Sequence, residues 1–160
     1  MQYKHLFGQF ACLKSYVMLR EILEEMGLNH PFVFGQNEHG KPFLVDYPDV
    51  CFNISHCKAG IAVAVADQPI GIDIEGYRQV SDSRVRYTMN EEEQRPIGES
   101  DDPVRTFTAF WTKKEAVFKL RGTGITRGLH ELVHGPDTVA TYVNENNKYV
   151  YSVATNTTSP

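Results

Sequence analysis

The chain has 160 residues, 41% of them hydrophobic and 22% charged, with sixteen Lys and Arg against twenty Asp and Glu for a formal charge of −4. That length is one domain's worth, since single domains run to roughly 100–200 residues, and the apolar fraction excludes disordered and collagen-like classes. The acidic balance gives no overall pull toward nucleic acid or anionic membrane, no apolar run approaches the roughly 20 residues of a membrane span, and Met1 to Phe10 lacks the apolar core of a secretory signal.

In chain order, Phe10 to Met26 places Phe10, Leu13, Tyr16, Val17, Leu19, Ile22, Leu23 and Met26 mostly three and four residues apart, the pattern of an amphipathic helix stopped by Gly27. Phe32 to Phe34 and Cys51 to Ile54 read as short strands around a loop rich in Gly, Pro and Asp. Ile61 to Ala66 is a buried strand, and Asp67-Gln68-Pro69 turns it into Ile70 to Ile74, predicting a hairpin between the two. Asn90 followed by Glu93 is a capping box that opens a short helix. Asp102-Pro103 is an N-cap and first-position pair for a long helix running to about Arg121 and ended by Gly122. Thr138 to Val143 and Lys148 to Ala154 form a second predicted hairpin around Asn144 to Asn147. Helix and antiparallel hairpin thus occur twice, which predicts an α+β fold. The three cysteines, Cys12, Cys51 and Cys57, include no CxxC pair and read as reduced, mostly buried thiols of a cytoplasmic protein.

Charge is unevenly laid out. Glu91 to Asp102 carries six acids and one base, and Val104 to Gly128 carries six bases and one acid. A pair of solvated helix faces explains this, and so does a basic stretch facing an anionic ligand; charge alone does not choose.

Three clusters carry candidate chemistry. In Gly71-Ile72-Asp73-Ile74-Glu75 the strand period puts Asp73 and Glu75 on one face and Ile72 and Ile74 on the other. The pair is either a strand end emerging into solvent or two carboxylates whose repulsion a hard cation such as Mg²⁺ relieves. In Trp111-Thr112-Lys113-Lys114-Glu115-Ala116-Val117-Phe118-Lys119, the residues Trp111, Glu115 and Lys119 share one helix stripe. Glu115 and Lys119 form either an ordinary surface pair or, with Trp111 facing the protein, the border of a cleft. There a third carboxylate completes a metal site with Asp73 and Glu75, and the lysine meets phosphate oxygens. Gly40-Lys41-Pro42 on its own is a turn. Phe52-Asn53-Ile54-Ser55-His56 offers several donors at a strand end, with His56 either a structural histidine or a phosphate contact.

GKP, FNISH, GIDIE and WTKKEAVFK occur in the order and approximate spacing of 4′-phosphopantetheinyl transferases, and the resemblance runs from about Phe10 to Ala154. The position of GIDIE behind a whole preceding half resembles the Sfp-type branch. That resemblance implies a pseudodimer of two similar α+β halves, 1–70 and 71–160, each a helix packed on an antiparallel sheet, with the active site between them. It implies transfer of the phosphopantetheine arm of coenzyme A to a serine of an apo acyl, peptidyl or aryl carrier protein, a holo-[acyl-carrier-protein] synthase activity that releases adenosine 3′,5′-bisphosphate. By the same resemblance Asp73, Glu75 and Glu115 hold Mg²⁺, which Mn²⁺ can replace on such oxygen ligands. Glu115 is the general base and Lys119 stabilises the transferring phosphate. Ser55 and His56 contact coenzyme A phosphates, and Lys41 contacts the adenosine phosphate. With no Arg before Arg20, either the grip on the 3′-phosphate is weak or it is taken over by Lys14 or Lys41. The expected protein is a cytoplasmic monomer with no nucleic acid or membrane partner, and apolar residues near Phe118 and Met89 receive the carrier. The competing reading is a non-catalytic regulatory module that binds coenzyme A or a carrier protein.

Overall fold

In the computed structural model, which describes residues 2–122 and 137–157, the first element is helix α1, Gln2–Glu25. Its buried side chains are Ala11, Ser15, Leu19 and Leu23, spaced four apart so that they form one line along the helix. The predicted stripe was therefore partly misplaced: Phe10 and Leu13 are 64% and 67% exposed. Strands β1 (Phe34–Gln36) and β2 (Pro42–Leu44) pair as a small hairpin. Strands β3 (Cys51–Cys57) and β4 (Gly60–Ala66) pair along their full length around the two-residue turn Lys58-Ala59. Leu19 and Leu23 pack with Leu44 and Phe52 into a core that also takes in Val63 and Val65.

Strand β5 (Ile70–Gly76) begins a separate sheet of order β5-β7-β6, with β6 at Thr138–Asn144 and β7 at Tyr149–Thr155. Between β5 and β6 come α2 (Asp82–Thr88), α3 (Glu91–Gly98) and α4 (Pro103–Arg121). Asn90 and Glu93 close the predicted capping box, Asp102 caps α4, and Gly122 ends it with a left-handed φ of 64°. Ala116, Val117, Phe118 and Leu120 of α4 pack with Ala154 of β7, so the long helix lies on the three-stranded sheet. Met89, Ile97 and Phe107 form a third cluster beneath α2 and α3. The architecture is α+β, as expected.

Two expectations need correction. The β4–β5 hairpin does not form, because β4 is paired with β3 and β5 with β7. The β5 amides on the other edge are satisfied by side chains of β3: Asn53 Oδ1 accepts from Ile72 N at 2.8 Å and Ser55 Oγ from Ile74 N at 3.3 Å. Met89 and Phe118 themselves are buried, at 0% and 4%, so a receiving surface there would have to come from neighbours such as Tyr87, which is 73% exposed. The thiols are not mostly buried: Cys12 is exposed, Cys51 and Cys57 are half-buried, and all three are free. Among the described residues no helix is long and apolar enough to cross a membrane.

The basic stretch is also resolved into separate tasks. Arg105 pairs with Glu145, Lys114 with Glu93, Lys119 with Asp73 and Arg121 with Asp137, while Lys113 sits over the Phe110 ring. Of these bases Lys119 lines the cleft described next. Arg127 lies outside the described residues.

Candidate active site

Two elements carry the four acidic and basic groups that the sequence singles out. On β5 the strand alternation buries Ile72 and Ile74 on one side and turns Asp73 and Glu75 to the other, into a cleft of ≈ 570 Å³. On α4 the stripe Trp111, Glu115 and Lys119 is half-buried and lines the same cleft. The i, i+4, i+8 spacing thus faces a cavity and not open solvent, because α4 is clamped against β5. Gly71 allows that approach: a Cβ there would sit 2.0 Å from Ala116 O and 2.4 Å from Leu120 N.

Asp73 is 4% exposed. Its Oδ1 accepts from Lys119 Nζ at 2.6 Å and from the Ser55 hydroxyl at 2.9 Å. Ser55 Oγ in turn accepts from Lys119 Nζ at 2.8 Å. Asp73 Oδ2 is buried and has no hydrogen-bond partner among the described residues, an arrangement that costs about 1–3 kcal/mol or more for a charged oxygen. Burial raises the carboxyl pKa of Glu75, and the Asp73 charge adds to this; Arg78 and a hydrogen bond from the Trp111 side chain oppose it. Burial likewise raises Glu115, again with Asp73 adding and Lys119 opposing. Three carboxyl groups thus share one cleft, and burial holds two of them above their ordinary range.

The all-oxygen donor set fits a hard divalent cation, and the orphaned Asp73 Oδ2 is the observation that favours one. Among the described residues, no three carboxylate, imidazole or thiol groups already converge as a ligand set. The carboxylates share the cleft while the Lys119 ammonium supplies the positive charge at Asp73.

The remaining predicted residues divide. Ser55 is buried and linked to both Asp73 and Lys119, whereas His56, next on β3, is exposed and lines the cleft. Lys14 is exposed on α1. Lys41, the expected phosphate contact, is engaged with backbone carbonyls. Its ammonium donates to the carbonyls of Lys119, Leu120 and Ile70 at 2.7, 3.1 and 3.3 Å, which take up all three of its donors. Burial also lowers its pKa from the ordinary lysine value. A second cavity of ≈ 330 Å³, lined by His39, Gly40, Lys41 and Phe118, shares Pro42, Asn53, Glu115 and Lys119 with the first.

The sequence reading missed Arg78, Arg84, Ser15 and Tyr16, all of which line the cleft. Arg84 lies over the Trp111 ring at 5.5 Å. Arg78 could have been noticed as the first cation after GIDIE; the others carry no local signal, since packing of α1 and α2 alone brings them in.

The family model of the 4′-phosphopantetheinyl transferase superfamily matches residues 69–157. The 4′-phosphopantetheinyl transferase gsp of Aneurinibacillus migulanus is 31% identical over 125 residues, covering 77% of this chain and 50% of that protein. The 4′-phosphopantetheinyl transferase Sfp of Bacillus subtilis (strain 168) is 35% identical over 95 residues, covering 58% and 42%. The 4′-phosphopantetheinyl transferase psf-1 of Bacillus pumilus is 30% identical over 132 residues, covering 80% and 57%. The chain spans about half the length of the curated relatives it matches. The matched stretch is more than half of the chain and contains Asp73, Glu75, Glu115 and Lys119. Together with these Sfp-like relatives it establishes that the chain belongs to the 4′-phosphopantetheinyl transferase superfamily, in its Sfp-type branch.

Proposed function

We propose that this chain transfers the 4′-phosphopantetheine arm of coenzyme A to a serine of an apo carrier protein, releasing adenosine 3′,5′-bisphosphate. The observation that carries the reading is the convergence of Asp73, Glu75, Glu115 and Lys119 on one cleft, with a buried Asp73 oxygen left unpartnered among the described residues. Asp73, Glu75 and Glu115 would hold Mg²⁺ or Mn²⁺. That cation would neutralise the diphosphate of coenzyme A as charge builds on the leaving group.

The chain's own groups account for the rest. Glu115 is raised by burial, which makes its carboxylate a better acceptor for the serine hydroxyl proton near neutral pH. Lys119 already presents its ammonium at the cleft surface, where a phosphate oxygen meets a charge-assisted donor. Ser55 and Asp73 fix that ammonium from the opposite side, so the donor is oriented before substrate arrives. His56 is exposed beside them and reaches an entering phosphate directly. Residues 1–70 and 71–160 act as two halves of a pseudodimer. The bonds from Asn53 and Ser55 on β3 to β5 support a cleft built from both. The reading is of a monomeric, cytoplasmic protein, and the three free thiols fit a reducing compartment.

Incubation with coenzyme A, Mg²⁺ and a panel of apo acyl, peptidyl and aryl carrier proteins should add about 340 Da to a carrier, the mass of the transferred arm. Glu115→Gln should lower turnover by about 10²–10⁴-fold, the usual contribution of a general base, without lowering the melting temperature. No addition to any carrier, with coenzyme A binding intact, rejects the enzyme and leaves a binding-only regulatory module.

A further inference from the structure

The turn between β1 and β2 reaches over the far end of α4. Asn37 Oδ1 shapes that turn by accepting from the amides of His39 and Lys41, and Asn37 Nδ2 donates to Gly122 O at 3.3 Å. Lys41 Nζ then donates to Lys119 O, Leu120 O and Ile70 O. Two of these carbonyls lie in the last turn of α4, where the helix dipole is negative. The third belongs to the first residue of β5. One side chain therefore ties the strand bearing Asp73 and Glu75 to the helix bearing Glu115 and Lys119. Gly122 makes room for it: its φ of 64° suits glycine, and an added Cβ would lie 3.0 Å from Lys41 Cδ.

Lys119 is held from two directions. Its carbonyl is gripped by Lys41 at 2.7 Å, and its ammonium by Asp73 and Ser55. We propose that Lys41 is a positioning residue: its ammonium fixes the last turn of α4 against the start of β5 and thereby sets where Lys119 Nζ meets Asp73. The kinetic consequence rests on the function proposed above; the geometric one does not.

Lys41→Met keeps the aliphatic stem and removes the ammonium. Lys41→Arg keeps the charge, but a planar fork cannot place donors on three carbonyls that converge on one nitrogen. Competitive acetylation with limiting acetic anhydride, read by peptide mass spectrometry, reports the accessibility of the Lys119 amine, whose side chain is 28% exposed, against the exposed Lys58 as internal reference. Lys119 labelling should rise about threefold or more in both variants, because an unanchored helix end opens locally. Turnover with coenzyme A and carrier should fall about tenfold while KM for coenzyme A stays within about threefold, as for a lost alignment.

Unchanged Lys119 labelling in both variants overturns the proposal whether or not the wild-type chain transfers anything. A kinetic loss confined to KM for coenzyme A also overturns it, in favour of a direct phosphate contact. Raised labelling in a chain whose wild type shows no transfer upholds the positioning role and rejects the proposed function. Should Lys41→Met not fold, the labelling of Lys41→Arg decides.

Discussion

Replacing Lys114 by Met breaks the most buried charge pair among the described residues. Lys114 Nζ lies 2.7 Å from Glu93 Oε2, with side chains 0% and 5% exposed. Methionine fills most of the volume of the lysine stem, so the cavity contribution is small and the loss is electrostatic. The Glu93 carboxylate would keep one amide bond, from Asn90 N to Oε2 at 2.9 Å, and its Oε1 already has no partner among the described residues. Stranding a buried charge in this way costs about 3–5 kcal/mol. A chain of this size shifts by about 2–4 °C per kcal/mol, so the melting temperature should drop by about 6–20 °C. Circular dichroism melts and urea unfolding of the wild type, Lys114→Met, Glu93→Gln and the double variant form a closed cycle. Glutamine at position 93 preserves the capping box, so the double variant should recover at least half of the single-variant loss. A Lys114→Met loss below about 1 kcal/mol, the range of an exposed pair, would refute the reasoning.

Two further outcomes follow from the site. Gly71→Ala drives a methyl group into the α4 backbone at Ala116 O and Leu120 N, which cannot retreat as a flexible side chain would. It should cost about 3 kcal/mol or more by urea unfolding, and a loss under about 1 kcal/mol would show that α4 and β5 are not so closely packed. The raised carboxyls of Glu75 and Glu115 bind their protons more tightly in the folded chain than in the unfolded one. Their contribution to stability without metal therefore declines as pH climbs from the ordinary value of 4.5 to the raised ones. Mg²⁺ takes the ionised forms, so its thermal stabilisation of the protein should be larger at about pH 7.5 than at about pH 5; equal shifts would count against these residues as ligands.

What the sequence disclosed and what it withheld divide along the range of the forces involved. Both ends of α4 were legible because Asp102, Pro103 and Gly122 act on backbone groups within one turn. The same holds for the box of Asn90 and Glu93. The β6–β7 hairpin was legible because its turn is local and its strands alternate. The Trp111, Glu115 and Lys119 stripe follows from helical period alone, and packing then turned it to the cleft. By contrast, β5 found its partner in β7, almost at the other end of the chain, a choice no window of adjacent residues contains. Lys41 shows the same limit: in the sequence it is a lysine in a turn, and only the fold shows that its ammonium meets a helix end 78 residues away. The basic run between Arg105 and Arg121 likewise suggested a polyanion, yet Glu145, Glu93 and Asp137 neutralise three of its members from other elements.

The seam between β3 and β5 has a consequence for how the two sheets find each other. In an ordinary ladder every backbone group offers the same bond, so a strand can slip and pair wrongly unless side-chain pattern forbids it. Here Asn53 answers Ile72 and Ser55 answers Ile74, and neither oxygen exists at the flanking positions Phe52, Ile54 and His56. A slipped junction would leave two buried amides unanswered, and it would also take Ser55 away from Asp73 and Lys119. Correct alignment of the two sheets and assembly of the acidic cluster are thus a single event. A misregistered chain would lack its acidic cluster for the same reason that it was unstable.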